Sequence, residues 1–374
     1  MSKIAIFPVM SGRNGGGPET YERELVRGLS VHDRETDYHI TCLNSAAAAA
    51  LETGQPNFRS HIIPGGVRPL AMTVGLPWVL KRESINFMHA AYIPPTWSPV
   101  PYVFTLHCSS PFATPELFPP AILARLKFLL ARGMRDAAHV ICVSHDVLAR
   151  AAEHYRLDKA RLSVVHNGVG AQFQPTTPEQ RAPTLLKYGL TGRYVLSAAR
   201  FEKRKNLARL LEAFARLRAT DPDCVLALAG DMTWEAEPLA RKIRELGLAD
   251  GVVRLGYVRH DHMPHLYGGA VMFAFPSLWE GFGIPVLEAM ACGAPVLTSD
   301  TSSLPEVAGG AALTINPLSV DEIAAGLCSL AHDARLRARL SAAGLERAKQ
   351  FSWERTAAET LAVYRRVMAD LKIA

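Results

Sequence analysis

Residues 271–293 read VMFAFPSLWEGFGIPVLEAMACG. The run starts with apolar residues 271–275, too few for a helix and rich in strand formers, and Pro276 and Ser277 end it. A loop follows with two glycines, Gly281 and Gly283, where backbone can come close to a ligand. Pro285 suits the first turn of a helix, where its missing N–H has no partner to lose. Val286, Leu287, Ala289 and Met290 continue a helical pattern that stops at Gly293. A strand thus feeds a glycine loop and then a helix N-terminus, whose N–H groups and dipole favour phosphate.

Two carboxylates flank that phosphate-binding geometry. Glu280 lies in the loop and Glu288 in the helix. An ionised carboxylate beside an anion site repels phosphate, so each is better suited to accept hydrogen bonds from hydroxyl groups. Phosphate donors next to hydroxyl acceptors spell a sugar nucleotide. A single glutamate is more often a solvated surface acid. The setting of Glu280, between Trp279 and Gly281-Phe282-Gly283, is unusual for a plain connector and favours a site.

The segment from Glu280 to Glu288 matches the pattern E-G-F-G-x-P-x-L-E at every fixed position. It resembles the signature of the retaining glycosyltransferases of family 4. That resemblance implies an α/β chain of GT-B architecture, with two Rossmann-like doubly wound domains facing across a cleft. It further implies hexosyl transfer from a nucleotide sugar, without a cofactor and without a metal. The donor side would involve Glu280, Gly281, Phe282, Gly283, Ile284, Pro285 and Glu288. The wording SDTSSLPEVAGGAAL at 299–313 is similar to bacterial mannosyl- and rhamnosyltransferases of cell-surface polysaccharides, which makes GDP-mannose the expected donor.

Composition is compatible with this. A chain of 374 residues is long for one core, so two domains are expected. The formal charge of +6 suits anionic ligands or an anionic membrane face. Residues 1–175 hold 17 Lys and Arg against 13 Asp and Glu, and residues 176–374 hold 24 against 22. Neither half has the block of like charge expected of a nucleic-acid arm, so no nucleic-acid partner is expected. The six cysteines are scattered and indicate neither a zinc ribbon nor a disulfide framework. A reduced, cytoplasmic location follows. No uncharged run approaches the length of a membrane span.

Along the chain, residues 3–9 read as a strand, 11–18 as a glycine-rich turn and 19–29 as a helix, which opens a doubly wound domain. The turn lacks G-x-G-x-x-G spacing. Gly15, Gly16 and Gly17 fit a plain tight turn as well as a phosphate loop, and the resemblance implies that they face the donor and acceptor. A strand over 100–106 delivers His107 at its carboxyl end, where ligands of open α/β sheets bind. Taken alone, such a histidine is an ordinary hydrogen-bonded residue; the resemblance implies an approach to the donor sugar. Cys108 stands where the family often has an acid. Residues 117–134 are amphipathic and basic, which allows a peripheral contact with the inner membrane face, although packing on the sheet is the simpler expectation.

Residues 168–183 have the glycines and prolines of a linker, so the boundary is placed near Pro175. The expected domains are 1–175 for the acceptor, 176–353 for the nucleotide sugar, and 354–374 as a helix returning to the first. The second domain restarts with a strand over 194–198, a basic loop RFEKRKN and a helix over 207–217. A basic cluster is usually a solvated face, yet this one sits where a diphosphate would. The resemblance assigns Arg200 and Lys205 to the diphosphate, with Lys203 and Arg204 supporting or facing solvent. It also places Tyr257 and Val258 against the nucleobase. The catalytic set is then His107, Glu280, Arg200 and Lys205, and the acceptor a glycan or lipid-linked oligosaccharide. Rival readings are a sugar-nucleotide epimerase of the same fold, a glycoside hydrolase using Glu280 and Glu288, and a glycan-binding module.

Overall fold

The computed structural model of the chain describes residues 2–12, 16–230 and 236–373. They fall into two units: Met1–Gly168 together with Trp353–Ala374, and Val169–Ser352. The crossing point thus falls at Gly168, somewhat before Pro175.

The first unit holds a seven-stranded sheet, every pairing parallel, of β1 (Lys3–Phe7), β2 (Asp37–Cys42), β3 (Phe58–Ile62), β4 (Phe87–Ala90), β5 (Tyr102–Leu106), β6 (His139–Cys142) and β7 (Leu162–Val164). Their order is β3-β2-β1-β4-β5-β6-β7. The second holds a six-stranded parallel sheet of β8 (Tyr194–Ala198), β9 (Val225–Ala229), β10 (Val252–Gly256), β11 (Met272–Phe275), β12 (Val296–Ser299) and β13 (Leu313–Ile315), in the order β10-β9-β8-β11-β12-β13. Each order reverses after the first strand of its unit, so each sheet has a switch point where ligands of such folds collect. Both are Rossmann-like, and the architecture is GT-B.

The continuous apolar strands follow from burial on both faces: β8, β11 and β12 are buried throughout. In the second unit Leu210, Leu211 and Phe214 of the Leu207–Thr220 helix pack with Leu226, Leu228, Leu297 and Ile323 in one core. Strands β3 and β4 escape a reading by pattern. The first, FRSHI, is an edge strand with exposed polar residues, and the second is only FMHA. The stretch read as linker contains a helix, Pro178–Lys187. Thr177 and Gln180 cap it reciprocally, and Pro178 occupies its first turn, where proline is tolerated.

The Trp353–Asp370 helix packs within the first unit. Gly28 allows this, because a Cβ there would come 2.6 Å from the Ala357 Cβ. A buried polar chain fastens the same helix. Tyr364 Oη lies 2.5 Å from His89 Nδ1, His89 Nε2 lies 2.7 Å from Thr105 Oγ1, and Thr105 Oγ1 lies 3.0 Å from Tyr21 Oη. Burial holds His89 neutral and pushes its pKa down to about 3. Burial likewise takes His107 and His139 down to about 4.

These three imidazoles fix the sign of the acid response. The unfolded chain takes up their protons below about pH 6.5, and the folded chain resists until about pH 4. Stability is therefore constant above about 6.5 and lost as pH falls. Thermal unfolding should show a melting temperature that drops between pH 7 and pH 5, with a shallower drop in His89→Gln. A flat profile over that interval in the wild type would show that these histidines are not held neutral by the fold.

Candidate active site

The site grows from the carboxyl ends of β8 and β11. Phe275 ends β11, and the loop beyond it carries Glu280. Gly283 takes φ 110° as the cap of the Ile284–Ala291 helix, a conformation in the glycine region, and Pro285 sits in the first turn. The helix therefore begins where the motif requires, with backbone N–H groups of Gly283 and Ile284 at its start.

Glu280 is buried and ion-paired twice. Its Oε1 accepts from Lys205 Nζ at 2.6 Å and lies 2.8 Å from Arg204 Nη1. Burial opposes its charge, but the Arg204 guanidinium and the Lys205 ammonium win and hold the carboxyl down at about 2. Burial in turn lowers the Lys205 pKa against the pull of Glu280. The ammonium also lies 4.7 Å from the centre of the Phe275 ring. With three donors and one spent on Glu280, Lys205 keeps capacity for an anion. The local charge of these three groups is +1, so Glu280 does not repel phosphate here as an isolated carboxylate would.

Arg204 is thus one of the site's braces. It donates to the Trp279 carbonyl at 2.6 Å as well as pairing with Glu280, so of the two roles expected for it, support is the one seen. Asn206 is a second brace that sequence reasoning passed over. It takes φ 60°, the left-handed region that Asn tolerates, and its amide donates to the carbonyls of Pro276 and Pro317 at 3.0 and 2.7 Å. The hydroxyls of the SDTSS segment form a third. Ser302 accepts from the Glu280 N–H at 3.0 Å, Ser303 donates to the carbonyls of Glu280 and Phe282, and Ser299 donates to that of Ser277.

Glu288 is buried one turn into the helix, and Tyr267 donates to its Oε2 at 3.0 Å. Arg200 is exposed at the end of β8. Gly230, at the end of β9, has φ 142° and no room for a Cβ against the Ala199 carbonyl. Its N–H donates to the Gly256 carbonyl at 2.8 Å. The ends of β8, β9 and β10 therefore adjoin, which brings Arg200 near the turn of Gly256, Tyr257 and Val258. Tyr257 is exposed there and Val258 buried.

His107 belongs to the first unit. Its Nε2–H donates to the Ala91 carbonyl at 2.8 Å, and Tyr21 packs edge-on at 4.4 Å between ring centres. Burial keeps it neutral, so Nδ1 retains a lone pair. Gly16 and Gly17 are exposed at the start of the Gly17–His32 helix, Gly16 with φ 68°. Gly15 lies outside the described residues.

Two family models match the chain in succession: "Glycosyltransferase Family 4" over residues 15–173 and "Glycosyl transferases group 1" over residues 186–347. The O-antigen chain mannosyltransferase B of Escherichia coli is 35% identical over 266 residues, covering 70% of each chain. The chain belongs to the family 4 glycosyltransferases. The O-antigen chain mannosyltransferase RfbU of Salmonella typhimurium is 29% identical over 256 residues, covering 67% of this chain and 68% of its own. Among solved structures, WaaG, a glycosyltransferase involved in lipopolysaccharide biosynthesis, superposes with a TM-score of 0.77 at 16% identity, over 96% of this chain and 99% of its own.

For this glycosyltransferase the hydrolase reading is not supported. The relatives named above are glycosyltransferases. Nor do the relatives support the epimerase.

Removing Glu280 would leave two half-buried cations side by side, Lys205 without its carboxylate and Arg204 with Glu202 at 3.6 Å. Glu280→Ala should cost about 3–5 kcal/mol of stability, whereas Arg204→Ala, which leaves Lys205 in place, should cost less. Chemical denaturation of both variants checks this. Wild-type stability in Glu280→Ala would remove the ion triad as the brace of the loop.

Proposed function

We propose that this glycosyltransferase moves a mannosyl group from GDP-mannose, with retention and without a metal, onto a glycan or lipid-linked oligosaccharide of a bacterial surface polysaccharide. The single observation that carries the reading is the charged cluster of Glu280, Arg204 and Lys205 at the mouth of the Ile284–Ala291 helix. The names of the O-antigen mannosyltransferases among the relatives favour mannose as the sugar. An acceptor built on a lipid would bring the chain to the inner face of the membrane from the cytoplasm.

In this reading the diphosphate lies against Arg200, Lys205 and the N–H groups of Gly283 and Ile284. Negative charge develops on it as the bond from the anomeric carbon to the phosphate oxygen breaks. Fixed cations and oriented amides stabilise that charge without reorganising, which is the largest source of acceleration available to such a site. Glu280 accepts from hydroxyls of the sugar. Its Oε1 is committed to two cations, so it serves better as an anchor than as a nucleophile. The acceptor oxygen then bonds to the anomeric carbon on the face that the diphosphate leaves, and its proton passes to the leaving phosphate oxygen. Configuration is retained without a glycosyl-enzyme. Glu288, which accepts from Tyr267 at Oε2, is the carboxylate proposed to accept from the ribose. Tyr257 and Val258 take the base, and Gly16 and Gly17 line the approach from the first unit.

Calorimetry against GDP, UDP, dTDP and ADP should find GDP the tightest, with affinity unchanged in excess EDTA. In Glu288→Ala the nucleotide should bind weaker by about 1.5–3 kcal/mol, the worth of a hydrogen bond to a charged group. Preference for another nucleotide would discard GDP-mannose, and a requirement for Mg²⁺ or Mn²⁺ would discard the metal-free route.

His107 is proposed to approach the donor sugar as a neutral imidazole. His107→Ala should lower kcat while GDP affinity stays near wild type, since the lost contact is to the reacting sugar. A parallel fall in both, or a chain that no longer folds, would make His107 a structural residue.

A further inference from the structure

Two histidines and two carboxylates converge inside the first unit, and none of them is among the residues assigned to the donor. Strand β2 carries Asp37 and His39 two positions apart, hence on one face. Strand β3 lies beside it in parallel register with His61 opposite Thr41, so His61 projects from that same face. Glu83 follows the Leu76–Arg82 helix, and Lys3 Nζ donates to its carbonyl at 3.0 Å. His39 Nδ1 lies 2.8 Å from His61 Nε2, and Glu83 Oε1 lies 3.9 Å from Nδ1 of the same His61 ring. One ligand atom from each of His39, His61 and Glu83 lies within 4.8 Å of the other two.

Protons alone do not satisfy this cluster. His39 is fully buried, and its Nε2 makes no hydrogen bond among the described residues; nor does the buried Asp37 Oδ1. Asp37 Oδ2 stands 3.4 Å from that Nε2. Two neutral imidazoles that face each other share one proton across the gap, which leaves either His39 Nε2 bare against Asp37 or His61 Nδ1 bare beside Glu83. An ion held by both facing nitrogens removes the conflict. Both ring protons then turn outward, and that of His39 is aimed at Asp37, the arrangement that metal-bound histidines ordinarily have. Burial lowers the pKa of both imidazoles, so both rings are neutral at neutral pH and offer a lone pair.

We infer that His39 Nδ1, His61 Nε2 and the Glu83 carboxylate bind a divalent transition-metal ion, Zn²⁺ foremost, with water in the fourth position. Two imidazoles and one carboxylate are a set that zinc takes. A tetrahedral ion about 2.0–2.1 Å from each nitrogen sets the two about 3.3 Å apart, about 0.5 Å more than in the structure. His61 and Glu83 supply that movement. His61 stands on the edge strand β3, and the two side chains are 21% and 26% exposed, which also gives the ion a way in. Arg59 pairs with Asp37 at 3.7 Å and Arg82 with Glu83 at 3.4 Å, but both guanidiniums lie largely in solvent, where such pairs are weak. The ion ties β2, the edge strand and the end of the Leu76–Arg82 helix together. It stands apart from the transfer proposed above, and its removal leaves GDP binding as it was.

Calorimetric titration with ZnCl₂ of the untagged full chain, stripped of metal with EDTA and dialysed, tests this. The wild type should bind a single ion per chain. His61→Ala and Glu83→Gln should each weaken that binding at least about tenfold, and Asp37→Asn, which removes the charge that His39 faces, by about 10–100-fold. Co²⁺ in the same place should show the intense visible absorption of a tetrahedral ion and lose it in His61→Ala. Zinc should raise the melting temperature of the wild type and leave that of His61→Ala unmoved. Without metal, the His61 and Glu83 variants should melt close to the wild type, since both side chains reach the surface. Saturating GDP should leave zinc affinity unchanged. Absence of stoichiometric binding by the wild type would overturn the inference, as would binding that survives in both His61→Ala and Glu83→Gln. Competition between GDP and zinc would put the ion at the donor site and overturn it as well.

Discussion

One carboxylate, buried between two cations, governs the second unit. Glu280 could not be ionised at such a depth alone, because desolvation raises a carboxylic pKa. Arg204 and Lys205 reverse that outcome, and each is reciprocally justified by Glu280. The contact joins the loop after β8 to the loop after β11, two adjacent strands whose carboxyl ends meet at the switch point. Around it the structure arranges redundant support: Asn206 reaches across to Pro276 and Pro317, and the SDTSS hydroxyls hold the backbone of 277–282. A loop with two glycines would otherwise be free to move. Here it is held by hydrogen bonds to groups at the ends of two other strands, β8 and β12.

The first unit uses the same parallel-sheet grammar for a different end. Its buried polar chain, from Tyr21 through Thr105 and His89 to Tyr364, ties the last helix of the chain to the first. A histidine with both ring nitrogens satisfied inside an apolar core must stay neutral. The fold therefore gains specificity for the returning helix and accepts sensitivity to acid. His107 shares the neutrality of His89 but not its function: one nitrogen is spent on Ala91, and the other faces away from that bond.

Much of this was legible in the sequence, and what was not has a common cause. The motif from Glu280 to Glu288 announces strand, loop, helix start and both carboxylates, because each signal is local. Arg204 was legible only as one of four cations in RFEKRKN. Its partner is 76 positions away, and no periodicity reports such a pairing. The hold of Ser302 and Ser303 on the Glu280 loop is hidden for the same reason. Strands β3 and β4 are too short or too polar for a period-two pattern, and the Pro178–Lys187 helix hides behind prolines that its cap accommodates. The 117–134 segment was legible as amphipathic, but its periodicity alone does not say whether sheet or solvent meets the apolar side.

The account stands on the position of the donor around the Glu280 triad, and a structure of the chain with intact GDP-mannose in the presence of EDTA measures it directly. The account predicts the diphosphate within hydrogen-bond reach of Arg200 and Lys205 at the start of the Ile284–Ala291 helix, a hydroxyl of the sugar on Glu280 and the ribose on Glu288. A nucleotide bound elsewhere, or a diphosphate held without Arg200 and Lys205, would contradict it.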